Sequence, residues 1–171
     1  MSNYDRFLET APRLGEQPPG GLARWVVLSC ALKVSYFLFL GGGVPSLGGD
    51  SSSYMAPVEN LLSYGTYAYA LDQPTSFAGR MPGLAAIYLP LRLFLEPSSS
   101  LKCLVLIQVL MDGLAAALLA QLAFRFTRDI RAFWSCLAIY GLSTYVSSWN
   151  HFVLTESLSA SSLVIGLYSL H

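Results

Sequence analysis

Apolar residues fall into four long runs, separated by polar or glycine- and proline-rich stretches. Leu22–Leu40 is the first. At 1.5 Å per residue it gives a helix of about 28 Å, close to the hydrocarbon thickness of a bilayer. Gly41-Gly42-Gly43 and Pro45 end it. The Leu- and Ala-rich run Leu101–Phe124 is the second, Ala132–Trp149 the third and Ser157–Leu170 the fourth. The fourth is short for a full span where the sequence stops, so the chain reads as the front part of something longer. Residues 1–21, with Pro12, Pro18 and Pro19 among mixed charges, read as a flexible cytoplasmic tail. The run after the tail is longer than a signal-peptide core and reads as a retained anchor.

Two shorter helices are expected in the loop 41–100. Pro57 suits the first turn of one, with Ser51–Ser53 available as caps. Tyr54, Val58, Leu61 and Leu62 then make one apolar stripe, and Gly65 stands where a C-terminal cap would. Such a helix can lie in the headgroup region. The other, Gly83–Leu95, is apolar but short, with Pro90 and Arg92 inside it.

Charge decides whether Gly83–Leu95 crosses. Arg125, Arg128 and Arg131 crowd the turn between the second and third runs, and Arg24 precedes most of the first. The positive-inside rule places both in the cytoplasm. That needs an even number of crossings between them, and Leu22–Leu40 with Leu101–Phe124 supply two. Gly83–Leu95 is therefore expected to lie on the outer face. The expected fold is all-α: a polytopic membrane protein with about four transmembrane helices and two juxtamembrane helices in an outer loop.

Composition agrees. Of 171 residues, 54% are hydrophobic and 12% charged, where soluble domains carry about 25% charged. A net charge of zero gives no support for nucleic-acid binding. Cys30, Cys103 and Cys136 lie far apart inside apolar runs and read as small buried side chains rather than a disulfide or zinc framework.

The expected topology gathers Asp50, Glu59, Asp72, Arg80, His151 and Glu156 in one outer compartment. Asp50, after Gly48-Gly49, is either a helix cap or a carboxylate available for chemistry. Arg80, before Met81-Pro82-Gly83, suits a phosphate or pyrophosphate headgroup, either of a specific ligand or of bulk lipid. Glu156 caps the next helix or faces the loop. His151 is a contact for phosphate or metal, or neither. Tyr54, Tyr64, Tyr67 and Tyr69 fit an aromatic belt or a sugar-stacking surface. Lys33 and Asp112, the two charges near the middle of spans, lie at similar depth and are expected to pair.

Taken in order, these residues resemble a known family. Asp50-Ser-Ser-Ser-Tyr54, an amphipathic helix, Gly65-Thr66-Tyr67, Arg80-Met81-Pro82-Gly83 and a short apolar helix resemble the first extracytoplasmic loop of GT-C-fold glycosyltransferases. The nearest branch includes the protein O-mannosyltransferases and the lipid A aminoarabinose transferases. Downstream, the basic turn, the aromatic span and Leu154-Thr155-Glu156 are similar too. The resemblance runs from about Leu22 to His171, the N-terminal part of the fold.

It implies sugar transfer from a polyprenyl-phosphate donor to an acceptor outside the membrane. Asp50 would be the base or acceptor-orienting group, with Glu156 shaping the acceptor or metal site. Arg80 would contact the donor phosphate, and Tyr54 and His151 would line the substrate. A divalent metal between Asp50 and Glu156 is compatible with it. The chain departs from members that carry two adjacent acids, since Ser51 follows Asp50, and complete members have further spans. Two other readings stand beside it: a non-catalytic membrane subunit or remnant of that fold, and a small transporter component.

Overall fold

The computed structural model describes residues 20–39, 42–48, 50–72, 83–143, 152–153 and 155–170. Among them are six helices: α1 (Leu22–Phe39), α2 (Ser51–Tyr64), α3 (Gly83–Phe94), α4 (Pro97–Thr127), α5 (Ile130–Gly141) and α6 (Thr155–Leu170). The one extended pairing among the described residues is an isolated parallel bridge between Ser46 and Phe152. The protein is all-helical, and α1 and α4 are each long and apolar enough to cross a membrane.

The centre of the fold is α4, which packs against α1, α3, α5 and α6. Its 31 residues make a rod of about 46 Å. It begins at Pro97, four residues before the expected start at Leu101. Pro97-Ser98-Ser99-Ser100 reads as loop by composition, but proline at the first helical position has its φ preset and lacks only an N–H the helix would leave unpaired anyway. Ser98 and Ser99 donate to Glu96 Oε1, and Ser100 Oγ donates to the Glu96 carbonyl, closing the start.

Along its middle, Gly113, Ala115, Ala116, Ala117 and Ala120 are buried. Small side chains let neighbouring backbones approach closely. Gly113 is the tightest point: a Cβ there would lie 2.7 Å from the Cα of Cys30 on α1. Only hydrogen fits.

The turn out of α4 is shorter than the expected basic loop. Arg128 takes φ 57° and its N–H bonds to the Phe124 carbonyl at 2.8 Å. Asp129 caps α5 at once, its Oδ1 accepting from the Arg131 N–H at 2.8 Å. The expected third span, residues 132–149, thus starts two residues earlier at Ile130, and α5 runs to Gly141; residues 144–150 lie outside the described residues.

Ring contacts fix the directions of the helices. Trp25, at the start of α1, meets Phe133 and Trp134, at the start of α5, edge to face. Arg125, near the end of α4, meets Tyr168, near the end of α6. So α1 and α5 run one way and α4 and α6 the other.

The segment between α1 and α4 packs onto this bundle. Tyr54 and Val58 of α2, with Leu84, Ala85 and Tyr88 of α3, join Phe37, Leu104, Val105, Val109, Val153 and Leu158 in one core. The α2 stripe therefore faces protein through Tyr54 and Val58, while Leu62 is exposed. Pro57 is not in the first turn: α2 starts six residues earlier and Pro57 is buried inside it. Gly65 ends α2 as the sequence suggests, at φ 73° with its N–H on the Leu61 carbonyl. At 12 residues, about 18 Å, α3 is too short to cross a hydrocarbon core.

Candidate functional site at one end of the bundle

The chain leaving α1 and the chain entering α6 pair at the Ser46–Phe152 bridge, where the Val153 N–H donates to the Ser46 carbonyl at 3.3 Å. Gly48 makes room for the approach: a Cβ on it would stand 3.0 Å from the Phe152 ring. Val153 is fully buried beneath. Asp50 follows Ser46 by four residues and Glu156 follows Phe152 by four, so both carboxylates stand at the first turns of helices that start from this pairing. Both are exposed.

The cap of α2 does not employ the Asp50 carboxylate. Asp50 occupies the cap position with helical φ and ψ and makes no side-chain cap bond. Its backbone carbonyl accepts instead from the N–H and the hydroxyl of Ser53. Ser51, fully buried, accepts the Gly48 N–H through its Oγ at 3.0 Å. The serines thus do the local structural work.

Tyr54 is 7% exposed and packs in the core, so its ring offers no open face for a sugar. Tyr64, Tyr67 and Tyr69 are exposed. Arg80 and His151 lie outside the described residues. No group of three His, Cys, Asp or Glu side chains able to hold a metal ion occurs among the described residues. Asp50 and Glu156 by themselves are two donors where a hard divalent cation takes six or more ligands, so no step is assigned to a metal.

One constellation at this end is not visible in the sequence pattern. Arg92 of α3 grips Glu59 of α2 with both arms of its fork, Nε to Oε1 at 2.6 Å and Nη2 to Oε2 at 2.9 Å. Tyr88 donates its hydroxyl to the same Oε1 at 2.8 Å. The Arg92 hydrogen bonds hold the Glu59 carboxyl below the usual carboxylate range; partial burial opposes this and the Tyr88 hydroxyl adds to it. Burial, reinforced by the adjacent Glu59 charge, pushes the Tyr88 phenol up. Arg92 Nη1 also donates to the Leu95 carbonyl. Glu59 and Arg92 stand on different helices, and no pattern in the sequence pairs them. Here they form a bidentate clasp that fixes α2 on α3. Asn60 extends it by donating to the Ala68 and Tyr69 carbonyls, which folds the chain after α2 back on itself.

Away from this end, Lys33 and Asp112 come together. Lys33 Nζ is 2.8 Å from Asp112 Oδ2, and both side chains are at most 2% exposed. Lys33 also donates to the Tyr140 carbonyl of α5 at 3.2 Å. The pair thus joins α1, α4 and α5 at one point beside the Gly113–Cys30 contact.

Comparison of the chain with protein-family models, with characterised proteins and with solved structures finds no match. What the fold and the site define is an all-helical protein with two helices suited to cross a membrane and two helix-initial carboxylates at one end.

Proposed function

We propose that this chain is a multi-pass membrane protein that takes part in sugar transfer from a polyprenyl-phosphate donor to an acceptor hydroxyl. α1 and α4 supply two of the passes, and the apolar runs 132–149, of which α5 is the described part, and 157–170, carried by α6, the other two, while α2 and α3 lie at the extracytoplasmic end. The observation that carries the reading is the Ser46–Phe152 pairing, which starts the helices bearing Asp50 and Glu156 from one place. The arginine-rich turn at the other end belongs on the cytoplasmic side.

The chemistry follows from that placement. The Asp50 carboxylate takes the proton of the acceptor hydroxyl while its oxygen bonds to the anomeric carbon of the sugar. The bond from that carbon to the phosphate oxygen breaks, and the phosphate leaves with the electron pair. A nearby cation stabilises the developing charge, the role proposed for Arg80. Glu156 orients the acceptor. The clasp of Glu59, Tyr88 and Arg92 spends its charges internally and holds the loop helices in place.

The test is sugar transfer from a polyprenyl-phosphate sugar in membranes, with and without Asp50→Asn. Loss of transfer by a stably inserted variant supports the assignment, and unimpaired transfer removes it. A transport role would rest on Lys33 and Asp112 instead, and would leave Asp50→Asn silent. A non-catalytic subunit would show no transfer with either chain.

A further inference from the structure

The opposite end of the bundle carries its own chemistry. Arg24 opens α1, Arg125 and Arg128 close α4, and Arg131 opens α5. The one acid among the described residues of this end is Asp129, whose Oδ1 takes the Arg131 backbone N–H. Among the described residues, four arginines and one aspartate leave a formal charge of +3 there (4 − 1). Asp50, Glu96 and Glu156 stand at the other end, about 27 Å away along the 18 residues of α1.

The arginines are set among aromatic rings. The Arg24 guanidinium lies 5.6 Å from the Trp25 ring, and Trp25 is wedged against Phe133 and Trp134. Arg125 sits 4.8 Å over the Tyr168 ring and donates to its hydroxyl at 3.1 Å, while its Nε has no hydrogen-bond partner. Rings that pin guanidinium groups reduce the rotamer entropy lost on binding an anion. Arg24, Arg128 and Arg131 are exposed.

What kind of anion is decided by the order of residues along α1. After Arg24 and Trp25 come Val27, 66% exposed, then Leu28 and Leu32, also exposed. Trp134 and Ile139 repeat that order on α5 after Arg131. Charge, then ring, then bare hydrocarbon is the layering of a lipid leaflet from phosphate to acyl chain. A nucleic acid or a free phosphate matches the first layer only.

We propose that this arginine collar binds the phosphates of anionic phospholipids, holding the bundle at one leaflet through Arg24, Arg125, Arg128 and Arg131. This rests on the multi-pass reading above, and is independent of the sugar chemistry.

The experiment uses the full chain purified in an uncharged detergent. Its thermal midpoint is followed while phosphatidylglycerol or phosphatidylcholine is added. Phosphatidylglycerol should raise the midpoint at concentrations where phosphatidylcholine does not, and 0.5 M NaCl should weaken that effect, with the salt level set by roughly one Debye length of about 4–5 Å. In the Arg128→Gln/Arg131→Gln variant, both positions being exposed, the apparent affinity for phosphatidylglycerol should fall by about fivefold per arginine. If that variant fails to fold, the salt response of the unmodified chain decides. Equal responses to the two lipids, a salt-insensitive response, or the same stabilisation by inorganic phosphate or a DNA oligonucleotide would overturn the proposal. Extraction of the expressed chain from membranes by alkaline carbonate defeats the multi-pass reading itself. Retention in membranes with equal lipid responses defeats the collar alone.

Discussion

Lys33 and Asp112 meet at 2.8 Å inside the bundle, sealed from solvent, and Lys33 reaches on to the Tyr140 carbonyl. Three helices are keyed to one another at that point. Removing one partner strands a buried charge, which costs about 3–5 kcal/mol. Lys33→Met and Asp112→Asn should therefore each lower the thermal midpoint in detergent sharply. The exchange Lys33→Asp/Asp112→Lys restores opposite charges and should recover more than half of the loss from either reversal alone. Equal damage from the exchange and from the single reversals would show that the pairing itself is not what matters.

Gly113 should not accept any side chain. A Cβ there meets Cys30 backbone at 2.7 Å, and backbone does not move aside cheaply. Gly113→Ala is expected to cost about 1–3 kcal/mol by forcing α1 off α4. Gly166 on α6 has nothing within 4 Å of its Cβ position. Gly166→Ala should instead stabilise by about 0.5–1 kcal/mol through helix propensity. Unfolding curves of the two variants should move in opposite directions.

The Glu59–Arg92 clasp makes stability depend on acid. Because its partners hold the folded-state Glu59 carboxyl below the usual range, the stabilisation is fully present above the unfolded value of about 4.3. It is lost as pH falls through the lower folded-state value. The midpoint difference between the unmodified chain and Glu59→Gln should thus be constant from neutral pH to about pH 5 and shrink on further acidification. A difference that stays constant down to about pH 2 would remove Glu59 as its source.

Sidedness is open to direct labelling. In a background with Cys30, Cys103 and Cys136 replaced by serine, Asp50→Cys and Glu156→Cys should react with an impermeant maleimide from the same side of the membrane. Arg128→Cys should react from the other. Opposite sidedness of positions 50 and 156 would dismantle the candidate site.

The sequence made some of this legible and hid the rest for definite reasons. The apolar runs announced α1 and α4, because a bilayer-length stretch of Leu, Ala and Val has few alternatives. Depth along two such runs was enough to match Lys33 with Asp112. The α2–α3 clasp was hidden because Glu59 and Arg92 lie 33 residues apart, and periodicity says nothing about partners at that range. Tyr54 looked like an interfacial ring because its stripe was legible but not what the stripe would face. Pro57 suggested a helix start, yet the serines before it, with Ser51 Oγ tied to Gly48, let the helix begin a turn and a half sooner. Asp50 and Glu156 were grouped by counting crossings. The bridge that sets them at one pairing consists of backbone groups of Ser46 and Val153, which carry no side-chain signature.

That bridge also orders the events of synthesis. Ser46 leaves the ribosome more than a hundred residues ahead of Phe152, so it waits for its backbone partner while α4 and α5 are made. Only when Val153 arrives does it gain its backbone partner and the buried side chain that seals it. Release before Val153 would leave the first five helices made, α6 and Glu156 missing, and Ser46 without its backbone partner.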